Sequence, residues 1–157
     1  MLETTEAMIA AWSAAHVGVR LSPSSYLYGV DDSDKLATFG HVVRALDALG
    51  VGYLCLLEPN AKDAERGVQI AHVAETFRPM TSVPIIVNTG FDKAKANAVL
   101  AAGNADLVAF GVPFIANPDL VHRLRTDAPL IKPDPTTFYG IGPKGYTDYP
   151  ALADLAA

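Results

Sequence analysis

The chain has 157 residues and a formal net charge of −5; half of it is hydrophobic and 18% is charged, with a mean hydropathy of +0.22. The acidic balance argues against nucleic acid as a partner and leaves no polybasic patch for a membrane surface, and the single cysteine, Cys55, excludes an intramolecular disulfide and fits a reducing compartment. No apolar run approaches the length of a membrane span, and the first residues lack the basic-then-apolar pattern of a signal peptide, so the expectation is one cytoplasmic domain, apolar enough for a partner to cover part of its surface.

Residues 2–15 read as a helix, with Met8, Ile9 and Trp12 on one side and acids in the first turn. A β-branched run at 16–21 is the first expected strand, and Ser22-Pro23 opens a loop that passes Tyr26 and Tyr28 to the cluster Asp31–Asp34. That cluster suits the cap of a helix from Asp34 to Leu49, stopped by Gly50; a cation site is imaginable there, but capping suffices. The second strand is expected at 52–57, ending in Glu58-Pro59, and a helix from Lys62 to Phe77 follows, closed by Pro79. The third strand, 84–88, leads into a helix capped by Asp92 and ended by Gly103. The fourth, 106–111, precedes a short helix from Asn117-Pro118 to Arg125. The tail 126–157 holds five of the eleven prolines, yet Phe138, Tyr139, Tyr146 and Tyr149 mark it as packed rather than disordered.

Alternating strands and helices imply a parallel sheet with right-handed crossovers. Four strands cannot close a barrel, which takes eight. The fold class expected is therefore α/β, either an open sandwich or a (βα)4 half of a TIM-type barrel spanning 1–157. A half-barrel leaves two bare parallel edges that call for a second chain. The runs 83–92 and 105–114 each join a strand, a glycine and a helix start, giving two loops whose backbone N–H groups can meet an anion. Residues at the carboxyl ends of such strands face ligand, which singles out Arg20, Glu58 and Asn88; for Glu58 and Asn88 a structural bond is the more ordinary role. The four histidines show no metal-ligand spacing, and no Ser/His/Asp or Cys/His constellation is assignable. No metal site and no catalytic residue are expected within this chain.

Three blocks resemble one family: Val17–Pro23 (Val-Gly-Val-Arg-Leu-Ser-Pro), Ala105–Leu120 (Ala-Asp-Leu-Val-Ala-Phe-Gly-Val-Pro-Phe-Ile-Ala-Asn-Pro-Asp-Leu), and Pro133–Gly140 with Gly145–Pro150. They look like the C-terminal half of the Old Yellow Enzyme family, FMN-dependent ene-reductases on a (β/α)8 barrel that reduce activated C=C bonds of enones with NAD(P)H. The resemblance implies that the four strands are the fifth to eighth of such a barrel. It places Arg20 at the N1/O2 edge of the flavin, where a fixed cation stabilises charge on the reduced ring. Asn88, Thr89, Gly90, Phe110, Gly111 and Val112 would lie around the cofactor, with Gly90 and Gly111 turning amides toward its phosphate, and Tyr139 and Tyr26 on the substrate side. Two positions depart from the pattern. Thr89 stands where the family has a first glycine, and Val112 where it has a phosphate-gripping arginine. Losing a grip that is often bidentate, at about 1.5–3 kcal/mol per charge-assisted hydrogen bond, weakens FMN roughly ten- to thousandfold. The family's substrate-activating pair and proton-donating tyrosine belong to the N-terminal half and have no counterpart here. The resemblance thus implies a partner, either a separate N-terminal half or a second copy in a homodimer. The alternative expectation is a non-catalytic half-barrel or self-associating scaffold that binds flavin weakly or not at all.

Overall fold

The computed structural model describes residues 1–26, 29 and 31–155; Tyr28 lies outside them. The chain falls into two compact units, Met1–Ala109 and Phe110–Ala157. The first holds the sheet. Its strands, β1 (Gly18–Leu21), β2 (Tyr53–Leu57), β3 (Ile85–Asn88) and β4 (Leu107–Ala109), pair in chain order and all run parallel. Helices α1 (Leu2–Trp12), α2 (Lys35–Leu49), α3 (Ala61–Glu65), α4 (Val73–Phe77) and α5 (Lys93–Ala101) precede or connect them.

Local chemistry explains the boundaries that match expectation. Asp34 accepts from Ala37 N and caps α2, and Gly50 closes it in the left-handed conformation at φ 67°. Asp92 caps α5 by accepting from Lys95 N. The differences are equally local. The helix expected over Lys62–Phe77 is two, α3 and α4, because Gly67 turns left-handed at φ 81° and the segment 66–72 is recruited elsewhere: the Gln69 Oε1 accepts from Lys35 N, and the Ile70 carbonyl accepts from Ser24 Oγ. Both carboxylate oxygens of Glu58 then take the Val73 and Ala74 amides, a cap supplied from across the fold. α1 stops at Trp12, with Ser13 at φ 76°. Met8 and Trp12 of its expected apolar side are exposed, and Ile9 alone of the three packs on the core.

Alternation along the strands sends Leu21, Leu54, Leu56, Ile85 and Val87 to the helix side, where they join Val43, Leu46, Val73 and Phe77 in one core. Each such side chain contributes about 1.5–3 kcal/mol of burial. The opposite face of the sheet presents Tyr53, Cys55, Leu57, Ile86 and Leu107, and within this unit it is open: Tyr53 is 43% and Leu107 57% exposed. Parallel sheets are ordinarily covered on both faces.

Gly52 shows how tightly the first turn is built. Its N–H donates to the Val17 carbonyl at 2.8 Å, and a Cβ there would overlap the Ala15 carbonyl oxygen. Backbone cannot swing aside as a side-chain tip can, so Gly52→Ala is expected to cost about 1–3 kcal/mol in urea-induced unfolding, with the midpoint falling at unchanged slope.

In the second unit Gly111 precedes α6 (Val112–Ala116), a helix the sequence reading missed; it replaces the end of the strand expected at 106–111, which stops at Ala109. α7 runs over Leu120–Thr126 rather than from Asn117. Asn117 is instead fully buried and binds three backbone groups: its Nδ2 donates to the carbonyls of Pro113 and Ile131, and its Oδ1 accepts from Ile131 N. Arg123, also buried, donates from Nε to Asp119 Oδ1 at 2.7 Å, from Nη1 to the Pro129 carbonyl at 2.7 Å and from Nη2 to the Pro150 carbonyl at 3.3 Å. Asp119 Oδ2 accepts from Leu152 N. The tail is thus held by polar side chains of α7 and the turn before it, with short 3-10 turns of its own at Pro135–Thr137 and Leu152–Leu155.

Candidate functional site

β1 carries Arg20 on the open face, level with Cys55 of β2. Its Nη2 donates to Asn88 Oδ1 at 3.4 Å, a long bond. Asn88 in turn donates from Nδ2 to the Ala109 carbonyl at 2.7 Å. A polar line therefore runs across all four strands, from Arg20 past Cys55 and Asn88 to β4. Burial pushes the Cys55 thiol above its usual range, and the adjacent Arg20 guanidinium partly offsets this. Guanidinium has five donors, and Arg20 is exposed, so it keeps capacity for an acceptor arriving on this face. Arg20 and Asn88 are the strand-end residues expected from the sequence, whereas Cys55 is there a sign of redox compartment alone. The period-two alternation of Tyr53–Leu57 already sets Cys55 opposite Leu54 and Leu56 and could have placed it here.

The turn after β3 has two consecutive residues at positive φ, Thr89 at 91° and Gly90 at 71°. The second suits glycine. The first is a genuine outlier for a β-branched residue and costs about 1–3 kcal/mol. A Cβ on Gly90 would meet nothing, so conformation rather than space selects glycine. Thr89, Gly90 and Phe91 border an open groove of about 840 Å³ that α5 helps to line.

Tyr26 is fixed by its polar groups: its N–H donates to Asp63 Oδ1 at 3.2 Å and its hydroxyl to the Gly67 carbonyl at 3.1 Å. Glu58, flagged by its strand-end position, is wholly occupied in capping α4.

In the second unit, half-buried Phe110 leads into Gly111, which has an ordinary negative φ of −99°, and a Cβ on it would meet nothing. Val112, the first residue of α6, is 54% exposed. Tyr139 is 99% exposed and anchors nothing within its unit; Tyr149 does that instead, its hydroxyl accepting from Asp134 N. Among the described residues no three His, Cys, Asp or Glu gather as a metal site would require, and no helix is long and apolar enough to cross a membrane.

Residues 1–130 match the model of the NADH:flavin oxidoreductase / NADH oxidase family. Rice 12-oxophytodienoate reductase 1 is 40% identical over 98% of the chain, and Arabidopsis thaliana 12-oxophytodienoate reductase 2 is 35% identical over 99%. The chain spans only 41% and 42% of those proteins. Among solved structures, morphinone reductase superposes with a TM-score of 0.88 at 38% identity, covering 99% of this chain and 41% of its own. The old yellow enzyme of Trypanosoma cruzi gives 0.88 at 35% identity, covering 96% and 39%. These neighbours are TIM-type barrels. The four parallel strands and their helices are the corresponding (βα)4 half, as the sequence led one to expect. The chain belongs to the NADH:flavin oxidoreductase / NADH oxidase family.

Proposed function

We propose that this chain, read as one half-barrel domain, is the phosphate- and flavin-edge half of an FMN-dependent oxidoreductase that reduces the activated C=C bond of an enone with NAD(P)H. The observation that carries the reading is Arg20, exposed on the open sheet face beside Cys55 and joined to Asn88 by a long bond. A cation held there suits the electron-rich edge of a reduced isoalloxazine. The remaining assignments follow the family pattern: Asn88 aligns Arg20, and Thr89 and Gly90 offer turn amides. In the second unit, Phe110, Gly111 and Val112 stand at the other cofactor positions, and Tyr139 with Tyr26 on the substrate side. When bound, FMN supplies the two-electron chemistry linking nicotinamide to alkene. The chain's own part is to bind and orient it, since Val112 adds no charge and no donor pair for a substrate carbonyl is assigned here. A completing half is therefore part of the proposal, as a separate chain or as a second copy set edge to edge.

The test is a titration of the purified protein with FMN, followed in the flavin spectrum, before and after adding NADPH and an enone. Binding in the range of tens of micromolar is expected, weakened roughly tenfold by Arg20→Ala. An unshifted spectrum at that concentration, with or without an N-terminal half supplied in trans, would overturn the reading. It would favour the second one, a half-barrel scaffold without flavin, for which the uncharged Val112 already speaks.

A further inference from the structure

Lys35 is the first residue of α2, and its side chain is only 2% exposed. Both features oppose a cation: the helix N-terminus is the positive end of the dipole, and burial removes the ammonium from water. Among the described residues its Nζ finds no hydrogen-bond partner of good geometry. It sits 3.8 Å from the centre of the Tyr26 ring and 3.3 Å from Asp31 Oδ1. A cation over an aromatic face is worth most where both are desolvated. A residue that breaks two local rules at once marks a place where something other than stability is being arranged.

What it touches is the loop that leaves the carboxyl end of β1. Tyr26, beneath the ammonium, spans to Asp63 and Gly67 through its N–H and hydroxyl. The backbone N–H of Lys35 donates to Gln69 Oε1 at 2.8 Å, and Gln69 Nε2 donates to the Asp32 carbonyl at 2.8 Å. Ser24 Oγ donates to the Ile70 carbonyl. The described ends of the loop are thus riveted to the α3–α4 segment at several points, and Lys35 bears on Tyr26 among them. We propose that Lys35 is a positioning residue whose ammonium, set against the face of Tyr26, holds that ring as a wall of the ligand site; the assignment of that wall to a flavin or enone rests on the function proposed above.

Two substitutions separate positioning from mere support. Lys35→Met keeps the stem and removes the charge, while Lys35→Arg keeps a cation able to stack. Amide exchange at Tyr26 and across 67–70 is expected to quicken about tenfold in Lys35→Met and to stay within about threefold of the parent in Lys35→Arg. The thermal midpoint of Lys35→Met should hold or rise, because an apolar side chain replaces a buried charge of similar volume. Unchanged exchange in Lys35→Met would overturn the proposal. So would a lowered midpoint with protection lost throughout the unit, which is the result of a general structural role. In a parallel FMN titration Lys35→Met should weaken binding severalfold. If the parent binds no FMN, the functional reading fails, while the exchange data still decide for or against Lys35.

Discussion

Replacing Arg123 with alanine is expected to destabilise the unit from Phe110 onward by about 3 kcal/mol and to free the tail for proteolysis. The size follows from what is stranded. Arg123 is buried, and three of its nitrogens serve Asp119 and the carbonyls of Pro129 and Pro150. Alanine leaves those carbonyls without donors and a carboxylate without its cation. Leucine should cost less, because it fills part of the volume. The same clasp sets a pH dependence. The hydrogen bond from Arg123, with that from Leu152 N, holds the Asp119 carboxyl below the usual carboxylate range. A depressed folded pKa contributes stability that is fully present above the unfolded value. That stability is lost as pH falls through the lower folded value, so the tail should loosen in acid and stay held at neutral pH. Limited proteolysis with mass spectrometry across pH, comparing parent and Arg123→Ala, checks both. A parent tail as labile as the variant's at neutral pH would refute the clasp.

The second large effect concerns affinity. Val112→Arg is expected to tighten FMN by ten- to a thousandfold, roughly the range that one or two charge-assisted contacts to phosphate supply. Position 112 is half-exposed at the start of α6, so the longer side chain enters without displacing core. Thr89→Gly belongs beside it: removing a β-branched residue from φ 91° should release about 1 kcal/mol or more of strain and clear the approach to the Gly90 turn. Isothermal titration of both variants and their combination reads the gains. No gain from Val112→Arg, with the fold intact by circular dichroism, would mean that no phosphate is held near residue 112.

The sheet was legible because its signals are local and redundant. The short continuous apolar runs at 53–57 and 85–87, Asp34 and Asp92 as caps, and Gly50 as a stop each point the same way. The helix over 62–77 was misread because what breaks it is not only Gly67 but a set of bonds to a loop more than thirty positions earlier, from Lys35 N and Ser24 Oγ, which no local pattern announces. α6 was missed for a related reason: Val112–Ala116 is too short to show a period, and its apolar letters read on as strand. Of the candidate site, Arg20 and Asn88 could be placed by strand position. Lys35 could not, since a lysine beside three aspartates reads as a solvated face until tertiary structure buries it.

The bonding of Gln69 has a consequence for how this protein can change over time. One amide accepts from Lys35 N and donates to the Asp32 carbonyl, so a single side chain measures the distance between the β1–α2 connection and the α3–α4 connection. Surface loops usually drift in length independently of one another. Here an insertion in either would carry its backbone away from the shared amide, and only a matching change in the other would restore it. The two connections are therefore a single unit of inheritance, and an engineer grafting a new loop into one must carry over the other as well.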